Sequence, residues 1–466
     1  MTENNDQRSG RFAPKRDETF AEFNNSFKFD RKLFQADIEV NIAYCEVLFH
    51  AGVLTRLESE RIRNGLQAVL KRAEFDKSYL DEMPSPDIHT FVELRLIQLI
   101  GDTGRKLLTG KSRIDQAATV FRLWLRKEIE GISVAAADFQ STLIDSAENN
   151  QKVVLPGFNQ SKKTAPILWG HWCLAYFEMI ARDLERFDEV WRRVNVMPFG
   201  SGDLAGNAFE IDREEMAEAL GFEGISPNSL DAVSDRDFAA EFVGACALLM
   251  VHLSRLAEDL ILFSAPEFGF VRLGDPDSEE RPTDQQAALE LIRGKAGRVF
   301  GHQTALLTLL KGLPLAYQRD LQEDKEAVFD TIETVKGSLR MARTVLRKLD
   351  LNEEKARLSA LDCNSQGTEL ADYLIHRGVS FGTAQETVGK IVNYAGGLGK
   401  KLRELTLEDL RKFSADFEED ALEVLSLERM LSNKDQIGGT SPERVSEALK
   451  TARETLEREN TGDSIE

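Results

Sequence analysis

The sequence predicts an all-α protein, and three observations carry that prediction. Apolar residues recur at spacings of three and four: Phe242, Cys246, Leu249, Leu253, Leu256 and Leu260 form one such seam, the pattern by which a helix packs on its neighbours. Runs in which β-branched residues alternate with polar ones are almost absent, so the period of a half-buried strand is missing. The 12 prolines are few for 466 residues. They fall mostly near segment edges (Pro84 and Pro86, Pro156 and Pro166, Pro276 and Pro282), where they do not interrupt helices.

Taken in order, the elements have recognisable ends. Thr55 with Glu58 fits a capping box. The stretch Gly200–Gly206 reads as a tight connection before the seam that starts at Phe242. After the charged stretch Gln322–Glu326, the residues Val328, Ile332, Val335 and Leu339 repeat the helical spacing. Gly396–Gly397–Leu398–Gly399 lacks the strand and helix context of a phosphate loop and reads as a turn. Thr406 with Asp409 is a second capping box, and Ser441–Pro442 reads as an N-cap followed by an N1 proline. Soft boundaries near residues 108 and 360 divide the chain into 1–108, 109–360 and 361–466.

Composition narrows the function classes. Hydrophobic residues at 42 % and charged residues at 30 % suit a large globular core. A net charge of −20 argues against nucleic-acid binding, which needs Lys and Arg to displace counterions, and against anionic membrane surfaces. Cys45, Cys173, Cys246 and Cys363 are far apart with no CxxC pair, which speaks against a zinc site or a disulfide scaffold and suits a reducing cytosol. The longest apolar run, Phe242–Val251, is far below the roughly 20 residues of a spanning helix. The opening Met1–Arg11 has no apolar secretory core. A cytoplasmic protein without metal or other cofactor is expected.

Longer strings point further. Gly10–Arg11–Phe12, Phe23–Ser26, Asp87–His89, Leu204–Asp212 (LAGNAFEID), Asn228–Asp237 (NSLDAVSDRD), His252–Asp259 (HLSRLAED), Leu289–Val299 (LELIRGKAGRV), Gly312–Glu326 (GLPLAYQRDLQEDKE) and Thr368–Leu374 (TELADYL) stand in order along nearly the whole chain. Together they resemble argininosuccinate lyase, of the aspartase/fumarase superfamily. The resemblance implies a long central helical bundle flanked by smaller N- and C-terminal helical domains, assembled as a homotetramer whose sites each draw on three subunits. It also implies a β-elimination that releases fumarate and arginine, which needs a base, a proton donor and fixed positive charge.

The three segments that would supply those groups all depart from the family's pattern. Where the family reads H-T-G-R-S-R-N-D-Q, this chain has Leu108–Gln116 (LTGKSRIDQ). Arg113 is kept, and Ile114 replaces an asparagine amide that binds substrate. Where the family reads P-G-Y-T-H-L-Q, this chain has Pro156–Lys162 (PGFNQSK), with Gln160 at the proton-transferring histidine. An amide does not titrate near neutral pH, so it hydrogen-bonds but cannot shuttle a proton. Glu290 matches the glutamate that orients that histidine. The mobile loop G-S-S-x-M-P-x-K-x-N, with its serine base, is replaced between Phe270 and Leu289 by a shorter, acidic and proline-bearing stretch. Within it Ser278 and Thr283 are the only hydroxyls available as replacements. By contrast Ser26, Arg113, Asn159, Arg236, Tyr317, Gln322 and Lys325 match substrate-binding positions of the family.

Other residues have bland readings beside functional ones. His89 reads as a structural histidine between helices before it reads as a replacement acid or base. His171 and His252 read as core residues, and Lys162 and Lys163 as a solvated pair. Three functions follow from the resemblance. One is a catalytically silent homologue acting by binding, assembly or regulation, as a homotetramer or in a mixed tetramer with an active paralogue. Another is a lyase of altered chemistry on a related substrate. The last is an active argininosuccinate lyase of arginine biosynthesis.

Overall fold

A computed structural model describes residues 17–274 and 282–461. The opening Gly10–Arg11–Phe12 and Ser278 lie outside them. The described chain divides into two compact units. One takes residues 17–132, 186–247 and 299–333; the other takes 133–185, 248–274, 282–298 and 334–461. The elements are overwhelmingly helical, and the longest are Arg113–Asn149, Pro282–Leu310, Asp237–Ser264 and Trp169–Val194.

In the first unit the helix Phe34–His50 is a central core element. Ile38, Val40, Tyr44, Val47 and Leu48 are fully or almost fully buried, and the helix packs on Arg56–Phe75 and Ile88–Ile100. Arg56–Phe75 is amphipathic: it buries Ile62, Gly65, Leu66 and Val69, at helical spacing, and starts at the predicted Thr55–Glu58 capping box. Gly65 is needed for close approach, since a Cβ there would stand 2.7 Å from Leu96 Cδ1. The seam from Phe242 to Leu260 is buried at every predicted position, as are Val328, Ile332, Val335 and Leu339.

In the second unit an aromatic cluster fills the core. Trp169 stacks on Trp172 at 4.6 Å between centroids, and Trp172 meets Tyr176 edge-on. Asp259 Oδ2 accepts from both Trp172 Nε1 (2.9 Å) and the Tyr176 hydroxyl (2.8 Å). A further apolar cluster joins Leu370, Leu374, Val388, Ile391, Leu410 and Phe417 near the C-terminal end. The Thr406–Asp409 box forms as expected, and Pro442 opens the last helix with Ser441 Oγ accepting from Arg444 N–H. The glycine cluster closes a helix: Phe381–Gly397 ends in it, and Gly399 takes φ +65°.

The strands are few and small. The longest pair is an antiparallel hairpin of β1 (Val154–Asn159) and β2 (Lys162–Leu168). Pro156 faces Pro166 across it. Neither proline has an N–H to give, so the pair suits a position where no ladder bond is exchanged. The turn is two residues long, and Gln160 (φ 49°) and Ser161 (φ 60°) both adopt left-handed backbone, as a type I′ turn requires. Neither residue is suited to that region, which costs non-glycine residues about 1–2 kcal/mol. Ser161→Gly is therefore expected to stabilise the protein by about 0.5–1 kcal/mol, read as a higher urea midpoint; a lower midpoint would contradict the turn geometry.

Candidate functional site

The candidate residues fall into two groups, one in each unit. In the first unit a buried polar network is built on Asp37, the lone acid on the innermost face of Phe34–His50. Asp37 Oδ1 pairs with His89 Nδ1 (2.6 Å) and accepts from Gln116 Nε2 (2.7 Å), while Oδ2 accepts from Asn41 Nδ2 (2.9 Å). Asn41 Oδ1 in turn accepts from Lys111 Nζ (2.7 Å), whose side chain is fully buried and lies 3.2 Å from Glu93. His89 is thus held between two helices by a carboxylate.

Arg113 is held by this network. Its guanidinium donates to Glu93 Oε2 (2.9 Å), Thr90 Oγ1 (3.3 Å) and Gln116 Oε1 (3.0 Å). Ile114 follows it at the start of the helix Arg113–Asn149, half-buried, with an apolar side chain where the family has an amide. One residue further on, Asp115 is fully buried. Its Oδ2 accepts from the N–H groups of Gly200 (3.0 Å) and Gly202 (2.8 Å), and its Oδ1 has no hydrogen-bond partner. Burial pushes this carboxyl up to about 7, against the two glycine N–H groups that pull it down.

The sign of the consequence follows from linkage. The folded chain keeps a proton on Asp115 that the unfolded chain, with the ordinary value of 3.8, has lost. Stability therefore falls as pH rises from about 4 towards 7 and is level above that. Asp30, raised to about 6, adds a slope of the same sign at lower pH. Asp115→Asn should remove the segment of the slope just below pH 7, visible as a stability gap between variant and wild type that changes through that window. A constant gap would refute the buried-acid reading.

Four further candidates gather around another buried acid. Asp324, fully buried, takes Arg236 Nε on one oxygen and Lys325 Nζ (2.7 Å) on the other. Arg236 Nη1 also donates to the carbonyl of Asp235 (2.7 Å). Lys325 Nζ sits 5.3 Å over the Phe121 ring. Tyr317 is half-buried and feels both Arg236 and Asp324, and burial raises its hydroxyl. Gln322 Nε2 donates to the carbonyl of Asn24 (3.3 Å), and Arg319 to its side chain (2.5 Å), which ties this segment to Asn24–Ser26. Ser26 is buried, with its hydroxyl 2.6 Å from Asp30 Oδ2. The structure thus brings Ser26, Tyr317, Gln322, Lys325 and Arg236 into one region of the first unit.

The second unit holds the other two altered segments. Asn159 and Gln160 are exposed at the tip of the β1–β2 hairpin, with Lys162 beside them. Phe158, next in the strand, packs edge-on against Phe268 at 5.8 Å. Lys163 is half-buried, and its carbonyl accepts from Asn364 N–H (3.0 Å). Glu290 is exposed on the helix Pro282–Leu310 and accepts from Gln286 Nε2 (3.2 Å). Thr283 falls in the first turn of that helix. Gly274 N–H donates to Gln285 Oε1 (3.0 Å), and Gln285 is buried.

Sequence reasoning found the residues with a motif around them and missed their buried partners. Asp30, Asp37, Glu93 and Asp324 hold Ser26, His89, Arg113 and the Arg236–Lys325 pair respectively. A signal was present for Asp37, which falls on the same helical stripe as Phe34, Ile38, Tyr44 and Leu48, because a buried charge is kept only with partners. Among the described residues no group of three or more His, Cys, Asp or Glu is placed to hold a metal ion. Nor is any described helix long and apolar enough to cross a membrane.

Comparison with known proteins follows the same lines. A lyase family model matches residues 10–301, and an argininosuccinate lyase C-terminal model matches residues 364–432. The chain is 43 % identical over 448 residues to the argininosuccinate lyase of Bacillus cereus, covering 95 % of this chain and 97 % of that one. Among solved structures, EDDS lyase in complex with formate superposes with a TM-score of 0.79 at 25 % identity, over 93 % of this chain and 88 % of that one. The 3-carboxy-cis,cis-muconate lactonizing enzyme of Pseudomonas putida, at 17 % identity and a TM-score of 0.72 over 94 % of this chain and 99 % of that one, shares the fold.

Proposed function

The chain belongs to the argininosuccinate lyase family, within the aspartase/fumarase superfamily, and on that premise we propose that it binds an argininosuccinate-like ligand without cleaving it at the family's rate. The observation that carries this reading is Gln160. It stands at the hairpin tip in the place of the proton-transferring histidine, and its amide has no accessible pKa for proton transfer. Ile114 and the replaced segment between Phe270 and Leu289 act in the same direction. Binding is supported by the gathering of Ser26, Arg236, Tyr317, Gln322 and Lys325, two of them cations suited to a carboxylate.

The other reading is an active argininosuccinate lyase, and the 43 % identity over 95 % of the chain supports it better than it supports a silent role. Identity spread over a whole chain reports scaffold more than chemistry, so the altered positions decide. Fumarate release from argininosuccinate by the purified protein at high concentration separates the two: turnover near that of the Bacillus cereus enzyme establishes the active reading.

We also propose a homotetramer in the cytosol. The helix Pro282–Leu310 exposes Phe300 and Leu307, two turns apart on one face, an apolar patch that a second copy would cover. The four cysteines, all buried, suit a reducing compartment. Assembly with an active paralogue would place altered segments in every shared site and so inhibit it; a rise in the paralogue's activity on co-expression contradicts that.

A further inference from the structure

Ser26 is a candidate contact whose usefulness to a ligand depends on where its single proton points. Its Oγ lies 2.6 Å from Asp30 Oδ2 and 3.5 Å from the carbonyl of Pro86, both acceptors. While Asp30 is ionised, the hydroxyl proton is committed to that carboxylate. Ser26 then meets a ligand only as an acceptor. The other Asp30 oxygen is fixed independently, since Oδ1 accepts Ile88 N–H at 3.1 Å. Oδ2 is therefore the oxygen able to carry a proton towards Ser26. With Asp30 protonated, the bond reverses: Asp30 donates, Ser26 accepts, and the serine proton is free for a ligand oxygen. The alternative acceptor, Pro86, sits at the limit of a hydrogen bond.

We propose that Asp30 is a positioning residue that sets the direction of the Ser26 hydroxyl, so that capture of a carboxylate-bearing ligand takes up a proton at Asp30. This rests on the reading that Ser26 belongs to a binding site for an argininosuccinate-like ligand. The charged groups facing Asp30 are His89 and Asp87, at and before the start of the helix Ile88–Ile100, and Lys325 on the helix Asp324–Lys348. Each has its own partner: His89 has Asp37 (2.6 Å), Lys325 has Asp324 (2.7 Å) and Asp87 accepts Thr90 N–H (2.7 Å). Burial is the leading influence on Asp30 and raises its carboxyl to about 6, opposed by His89, Ser26 and Lys325. The exchange thus falls within an ordinary pH range.

The test is calorimetric titration of L-argininosuccinate into wild type, Asp30→Asn and Ser26→Ala between about pH 5 and about pH 8. In Asp30→Asn the Ile88 N–H selects the amide oxygen, so Nδ2 donates to Ser26 Oγ as the protonated acid would. Wild type should bind about tenfold more tightly at the acid end, the worth of one hydrogen bond to a charged group. Asp30→Asn should keep that tighter affinity at every pH, and Ser26→Ala should be weak and flat. A wild-type pH profile retained by Asp30→Asn would assign the titration to His89 or to the ligand and overturn the proposal. So would a flat wild-type profile. Absence of binding by all three proteins at every pH would instead remove the ligand site itself, and the proposal with it.

Discussion

Argininosuccinate incubated with the purified protein should yield fumarate roughly 10⁴-fold more slowly than with the Bacillus cereus enzyme, or not at all. Loss of a general acid or base alone removes about 10²–10⁴ in rate. Loss of a donor at the developing charge removes about 10²–10³ more, although such effects do not simply add. On the reading proposed above, Gln160 stands for the histidine, Ile114 for the amide, and another stretch for the serine-bearing loop between Phe270 and Leu289. Restoring one group leaves the others missing, so Gln160→His by itself should recover less than about tenfold. Gln160→His and Ile114→Asn combined with the family loop in place of residues 275–284 should recover at least about 10²-fold. Wild-type turnover within about tenfold of the relative would sink this expectation. Ser278, Thr283 and His89 would then be the groups to substitute.

The contrast between residues read from motifs and residues found in the structure has a physical origin. The helices were legible because packing one face writes a period of three to four into the chain, as at Phe242–Leu260, and because caps such as Thr55–Glu58 are local. The β1–β2 hairpin was not, since Pro156, Gly157 and Pro166 look like breakers and its register joins residues that show no alternation. Buried charge pairs are harder still. Asp37 meets His89, and Arg236 meets Asp324, across 52 and 88 residues of sequence. No local pattern encodes such a meeting. The altered site positions were read from the opposite kind of signal: each lies in a segment placed by matching strings elsewhere along the chain.

Removal of the Asp324 carboxylate should cost stability more than any other single change considered. Asp324 is fully buried, Arg236 nearly so, and Lys325 little exposed, and the one acid serves both cations. Asp324→Ala leaves two positive charges close together with little solvent and without the carboxylate that both hydrogen-bond. Breaking a buried pair in this way costs about 3–5 kcal/mol, because the remaining charge is uncompensated. The cost therefore depends on the cations, and a second substitution should expose that dependence. Arg236→Met in the Asp324→Ala background should recover part of the loss, since an apolar side chain removes one unpaired charge and fills similar volume. Urea midpoints of wild type, both single variants and the double variant form the required cycle. A loss below about 1 kcal/mol for Asp324→Ala would mean that water already compensates these cations. They would then be available to a ligand without the carboxylate that the structure places between them.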